Sequence, residues 1–165
     1  DPIVADLLQS KGMAGMLSTV WLIISAMAFG GVMEAAGFLT RITQSLVSLA
    51  HSAAGLIGAT LATCGLINIT AGDQYLAIVV PGRMFKDAYR ERGLAPENLS
   101  RCLEDSGTVT SALVPWNTCG AYQSATLGVA TGEYFVYAVF NWVSPIMSWI
   151  IALIGFRIRK LNSQE

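Results

Sequence analysis

From Ser106 to Gly120 the chain reads Ser106-Gly107-Thr108-Val109-Thr110-Ser111-Ala112-Leu113-Val114-Pro115-Trp116-Asn117-Thr118-Cys119-Gly120, and the uncharged stretch it opens runs on to Gly132. Without a charge this segment makes a poor water-facing surface, and with so many hydroxyls and glycines it makes a poor lipid-facing one. The consistent location is the interior of a membrane protein, against other helices or along a cavity. Pro115 removes a backbone donor and disfavours helix at Val114, while Gly120 loosens the next turn. Residues 106–130 are therefore expected to form two half-helices with an unwound or bent centre.

The surrounding sequence fits that location. The 165 residues are 53% hydrophobic and only 13% charged, with a formal net charge of -1; globular chains carry roughly 25% charged residues. Charge is also concentrated, with 11 of the 21 charged residues between Asp73 and Asp105. Over 17–39 the one charge is Glu34, and a helix of that length spans roughly 34 Å against a hydrocarbon core of about 30 Å. This predicts a transmembrane helix. A second is predicted over 134–156, uncharged, with Tyr134, Phe135, Tyr137, Trp149 and Phe156 near its ends and a kink at Pro145. Neither stretch has the length of a signal peptide.

A second interruption lies within 43–82. Its apolar start gives way to the polar knot Asn68-Ile69-Thr70-Ala71-Gly72-Asp73-Gln74-Tyr75, followed by Leu76 to Pro81, too short to span alone. A helix plus a broken or re-entrant segment is expected here. Residues 83–105 read as an amphipathic connector of two short helices, one with Met84, Phe85, Ala88 and Tyr89 on a face and closed by Gly93, the next opened by Pro96. Its basic residues, like Arg157, Arg159 and Lys160 beyond the last span, place the connector and the C-terminus in the cytoplasm by the positive-inside rule. The expected fold is thus an all-α integral membrane, polytopic helical bundle with two discontinuous or re-entrant segments and a cytoplasmic connector.

Paired broken segments are a sequence-level pointer to the binding site of a secondary transporter, because freed carbonyls and half-helix ends can hold an ion. A carboxylate taken out of water holds its proton more readily, which lets one group serve both proton and cation. Asp73 is the first candidate, beside Asn68, Thr70 and Gln74 at the first break. Glu34 is the second, set among small residues within a span. Asp105 begins a run of hydroxyls leading toward Asn117 and Thr118, neutral ligand candidates at the second break. The competing reading makes each break a packing kink, Asp73 an interfacial helix end, Asp105 a surface charge and Glu34 a paired residue near Arg41. His51 is a lone histidine, the three cysteines have no metal spacing, and Gly82 to Lys86 lacks the phosphate-loop pattern. No enzyme or cofactor is expected, and the interleaving of acid with base speaks against nucleic acid.

The runs Thr19 to Glu34, Gly72-Asp73-Gln74-Tyr75, Leu103-Glu104-Asp105-Ser106-Gly107-Thr108 and Leu113-Val114-Pro115-Trp116-Asn117-Thr118-Cys119-Gly120 resemble the C-terminal part of NhaC-type sodium/proton antiporters, in the ion transporter superfamily. That resemblance implies a multi-pass exchanger of the bacterial inner membrane with sodium and protons as substrates and no cofactor. Similar malate/lactate antiporters keep organic-acid exchange open as an alternative; a packing or assembly subunit is the alternative from another class. Such antiporters resemble two related halves in a longer chain, so the expected partners are the lipid bilayer, the missing N-terminal half and, as a candidate assembly, a homodimer.

Overall fold

The computed structural model describes residues 12–38, 41, 45 and 52–161, with the side chains of Ala26 and Glu34 outside the description. His51 and most of the stretch from Leu39 to Ala50 fall outside it, as do the end of the predicted 17–39 span and the start of the 43–82 segment. Among the described residues the chain is helical, apart from one isolated bridge between Leu94 and Lys160.

Helix α1 (Gly12–Ala35) is apolar all round and largely exposed. Helix α2 (Ala53–Thr70) starts where the Ser52 side chain accepts from the Gly55 N–H at 3.0 Å. Both are long and apolar enough to cross a membrane. α2 presents no polar face; its buried residues, among them Leu56, Ile57, Thr60, Cys64 and Asn68, share one broad side, while Ala62 and Ile69 on the opposite side are exposed. Its intramembrane-type polarity is handled internally: the Thr60, Thr63 and Thr70 hydroxyls donate to the carbonyls of Leu56, Ala59 and Leu66.

Helix α3 (Gln74–Glu91) follows at once, capped by Asp73, and runs unbroken to Glu91. The expected division between the broken segment and the connector, at 82/83, is therefore not a break in the chain. Pro81 lies inside this helix, and the carbonyl it cannot reach is that of Ala77, four residues back. Gly107 comes so close that a Cβ there would stand 3.2 Å from that oxygen. Phe85 and Tyr89, two of the four residues assigned to the apolar face, are buried in the main core with Leu56, Leu61 and Leu99.

Helix α4 (Pro96–Cys102) has Pro96 in its first turn and passes without a gap into a π-helical stretch, Leu103–Thr108, and a 3-10 stretch, Val109–Leu113. The expected boundary at 105/106 is thus a continuous helix of changing pitch. It stops at Val114, extended at φ -101° and ψ 116°, before Pro115. Helix α5 (Thr118–Leu127) restarts the chain and is too short to span, about 15 Å at 1.5 Å per residue. After the single turn α6 (Thr131–Tyr134), helix α7 covers Val139–Ile154. The uninterrupted helix expected over 134–156 is replaced by a turn and this 16-residue helix. Aromatic and β-branched residues from Tyr134 to Tyr137 are weak helix formers, and the Tyr134 hydroxyl donates instead to the Ala112 carbonyl at 2.6 Å, where the 3-10 stretch ends.

Candidate functional site at the crossing of two interrupted helices

Two local devices build the site. At the first break Gly72 adopts φ +64°, which ends α2, and Asp73 starts α3 by accepting from the Leu76 N–H at 2.9 Å through Oδ1. At the second, Asn117 starts α5 by accepting from the Cys119 N–H at 3.1 Å through Oδ1. The Thr118 hydroxyl donates to the same oxygen at 3.3 Å.

The breaks abut one another. The Thr118 N–H donates to the Gly72 carbonyl at 3.0 Å, and Asn117 Nδ2 donates to Asn68 Oδ1 at 3.0 Å. Trp116 Nε1 donates to the Ile69 carbonyl at 2.6 Å, and the Cys119 thiol to Gln74 Oε1 at 2.6 Å. Asn68 and Asn117 are wholly buried and Asp73 is 7% exposed. Helix α1 closes the outer side: a Cβ on Gly30 would come within 2.8 Å of the Ala71 carbonyl.

Asn68 extends the network into the π-helical stretch. Its Nδ2 donates to the Gly107 carbonyl at 2.7 Å and to Thr110 Oγ1 at 3.0 Å, while Thr110 donates to the Ser106 carbonyl. A wide turn releases carbonyls from the regular helical ladder, and an inserted amide can satisfy them. Ser106 completes the join by donating to the Leu61 carbonyl at 2.7 Å. A chain of hydrogen bonds thus runs from Ser106 through Asn68 to Asn117 and Thr118.

Of the residues singled out from sequence, Asn68, Asp73, Gln74, Asn117 and Thr118 come together here. The Thr70 hydroxyl is turned back to its own helix, donating to Leu66 O at 2.8 Å. Glu34 lies in the last turn of α1, one turn beyond Gly30; its side chain falls outside the described residues. Asp105 belongs to a separate group. Arg101 Nε stands 3.5 Å from it, Ser144 donates to Oδ1 at 3.5 Å, and Ser148 makes a second, short hydrogen bond to Oδ2. The carboxylate is therefore held against α7 rather than left as a bare surface charge.

Sequence reasoning missed Cys119, noted only for lacking metal spacing, along with the Trp116 indole and the serines of α7. Ser144 and Ser148 do carry a signal, four residues apart and hence on one helix face. The Cys102 thiol, in the connector, is pushed up to about 11, chiefly by burial. It is thus neither a thiolate nucleophile nor a ready metal ligand.

Electrostatically the crossing is simple. Among the described side chains one carboxylate, Asp73, stands with amide, hydroxyl and carbonyl oxygens at the start of α3, beside the start of α5. Hard cations take oxygen donors of these kinds, and an ion entering between the breaks would find them within one turn of two helices.

Three curated proteins illustrate what the chain is similar to. It is 42% identical over 161 residues to an uncharacterized Na+/H+ antiporter of Haemophilus influenzae, covering 96% of this chain and 34% of that protein. It is 34% identical over 161 residues to the Na+/H+ antiporter NhaC of Alkalihalophilus pseudofirmus, covering 98% and 35%. It is also 33% identical over 150 residues to a malate-2H+/Na+-lactate antiporter of Bacillus subtilis, covering 91% and 31%. The chain spans about a third of the length of these relatives. No solved structure matches it. With the family model matched over residues 4–156, the chain belongs to the Na+/H+ antiporter family and is membrane-embedded.

Proposed function

We propose that this chain forms part of a secondary antiporter that exchanges sodium for protons across the bacterial inner membrane by alternating access, with the crossing of the two interrupted helices as its ion site. The observation that carries the reading is Asp73, the one carboxylate buried among the described residues, capping α3 at the point where Thr118 and Asn117 of the other break bond to Gly72 and Asn68. Asp73 binds a proton or a sodium ion in turn. Gln74, Asn68, Asn117 and Thr118 supply neutral oxygens, with Thr70 contributing lone pairs, since its proton is already committed to Leu66. Glu34 and Asp105 serve as flanking acids on the ion's path. The remainder of the transporter, which the relatives' greater length implies, supplies the opposing half and lies with this one in the bilayer. The connector and the C-terminus face the cytoplasm.

The test uses inverted vesicles carrying the protein expressed from its complete gene. Sodium addition should discharge a preformed proton gradient, and Asp73→Asn should abolish the response with membrane insertion intact. Full response in that variant would remove Asp73 from the mechanism. A response to malate or lactate in place of sodium alone would move the assignment to organic-acid exchange, and silence to every substrate would leave an assembly role.

A further inference from the structure

Away from the crossing, the segment after α7 is fastened to the loop between α3 and α4. The Ala95 N–H donates to the Arg159 carbonyl at 3.0 Å and the Leu161 N–H to the Gly93 carbonyl at 2.8 Å. Asn98, itself buried, donates to the Arg159 carbonyl at 2.7 Å and accepts from the Arg159 N–H at 3.2 Å. Beside this tether is a cavity of about 570 Å³ lined by Glu97, Asn98, Arg101, Arg157, Ile158 and Arg159. Three arginines thus line one polar space with Glu97, which meets Arg159 only loosely, at 3.8 Å between exposed side chains, while Arg101 also stands 3.5 Å from Asp105.

Backbone strain points the same way. Arg157, at φ +54°, is the one non-glycine residue with positive φ among the described residues. A long side chain stays in that region only where surrounding structure enforces it. Here the left-handed residue follows Gly155 (φ +73°), turns the chain sharply off the end of α7 and brings Arg157 and Arg159 to the same cavity. Immediately before it, Leu153, Ile154 and Phe156 are strongly exposed, and the Arg157 guanidinium lies 5.6 Å from the centroid of the Phe156 ring. The cavity therefore sits where an apolar surface meets a basic one.

We infer that the Arg101–Arg157–Arg159 cavity binds a phosphate-bearing anion, and that its occupant is the headgroup of an anionic phospholipid. Guanidinium forks match phosphate oxygens, basic pockets beside membrane helices hold such headgroups, and the exposed apolar end of α7 lies where the acyl chains would run. The inference uses the membrane location shown by the family but not the sodium/proton chemistry.

Native mass spectrometry on the protein expressed from its complete gene, with added phosphatidylglycerol or phosphatidylcholine, tests it. The expected result is phosphatidylglycerol retention that drops about tenfold in an Arg157→Gln/Arg159→Gln double variant, survives in the Arg157→Lys/Arg159→Lys variant at least in part, and weakens with added salt. Arg157→Gly separates charge from folding: it relieves the positive φ, so its Tm should hold or rise while phosphatidylglycerol retention falls. Inorganic phosphate is the second arm. If it binds and protects the wild-type protein where phosphatidylglycerol does not, the site takes free phosphate and the lipid assignment is wrong. Equal retention of phosphatidylglycerol by wild type and the glutamine variant, with no effect of phosphate on either, overturns the proposal.

Discussion

The two breaks use the same device with opposite electrical character. At both, a short acidic or amide side chain caps the restarting helix: Asp73 Oδ1 takes the Leu76 N–H and Asn117 Oδ1 takes the Cys119 N–H. At the first break the cap is ionisable and its neighbours are neutral. At the second the cap is an amide whose other end, Nδ2, is spent on Asn68. As N-caps, Asp and Asn are nearly equivalent, so capping alone does not explain why one break carries a charge. The difference separates a group that can change its protonation state from one that holds the two breaks together.

Exchanging the caps tests this division, with the largest effect at the amide. Asn117→Asp would leave Asn68 Oδ1 without its donor and place a second carboxylate in a wholly buried position. Destabilisation of about 3–5 kcal/mol is expected, the cost of an uncompensated buried charge; denaturation in detergent measures it. The close packing at the same break should be almost as sensitive. A Cβ on Gly120 would stand 2.0 Å from the Val114 carbonyl, so Gly120→Ala should cost about 3 kcal/mol, at the upper end for an overpacked site. At the first break, Gly72→Ala must hold a left-handed backbone, at φ +64°, and should cost about 1–2 kcal/mol. Smallest is Asp73→Asn, expected to change stability by less than about 0.5 kcal/mol because the cap is kept, while transport is lost. A large stability loss in Asp73→Asn would merge the two roles that the comparison separates.

Much of this was legible in the residues, for local reasons. Gly72 before Asp73, and Val114 before Pro115, punctuate a chain whatever surrounds them, and both interruptions lie where those residues stand. The contact between the breaks was not legible, since it depends on side chains 49 residues apart. Nor was the π-helical stretch from Leu103, whose widened turn is answered by the amide of Asn68 from another helix. Pro81 and the run from Tyr134 misled for opposite reasons. Pro81 reads as a helix end but is tolerated where Gly107 approaches the Ala77 carbonyl. The Tyr134 run reads as the start of a span, yet it turns because its hydroxyl is anchored to Ala112. The site candidates divided in the same way. Those within a few residues of a break came together, Thr70 excepted because its hydroxyl bonds back to Leu66, whereas Asp105, read from its hydroxyl neighbours, is engaged by the serines of α7.

In the proposed mechanism one carboxylate at the crossing exchanges a proton for a sodium ion. Infrared difference spectroscopy of the purified protein, expressed from its complete gene and titrated with sodium, addresses it directly. Sodium should remove a protonated-carboxyl band, proton release to the buffer should accompany it, and both signals should vanish in Asp73→Asn. Sodium binding without proton release, or the same band lost on sodium addition to Asp73→Asn, would contradict it.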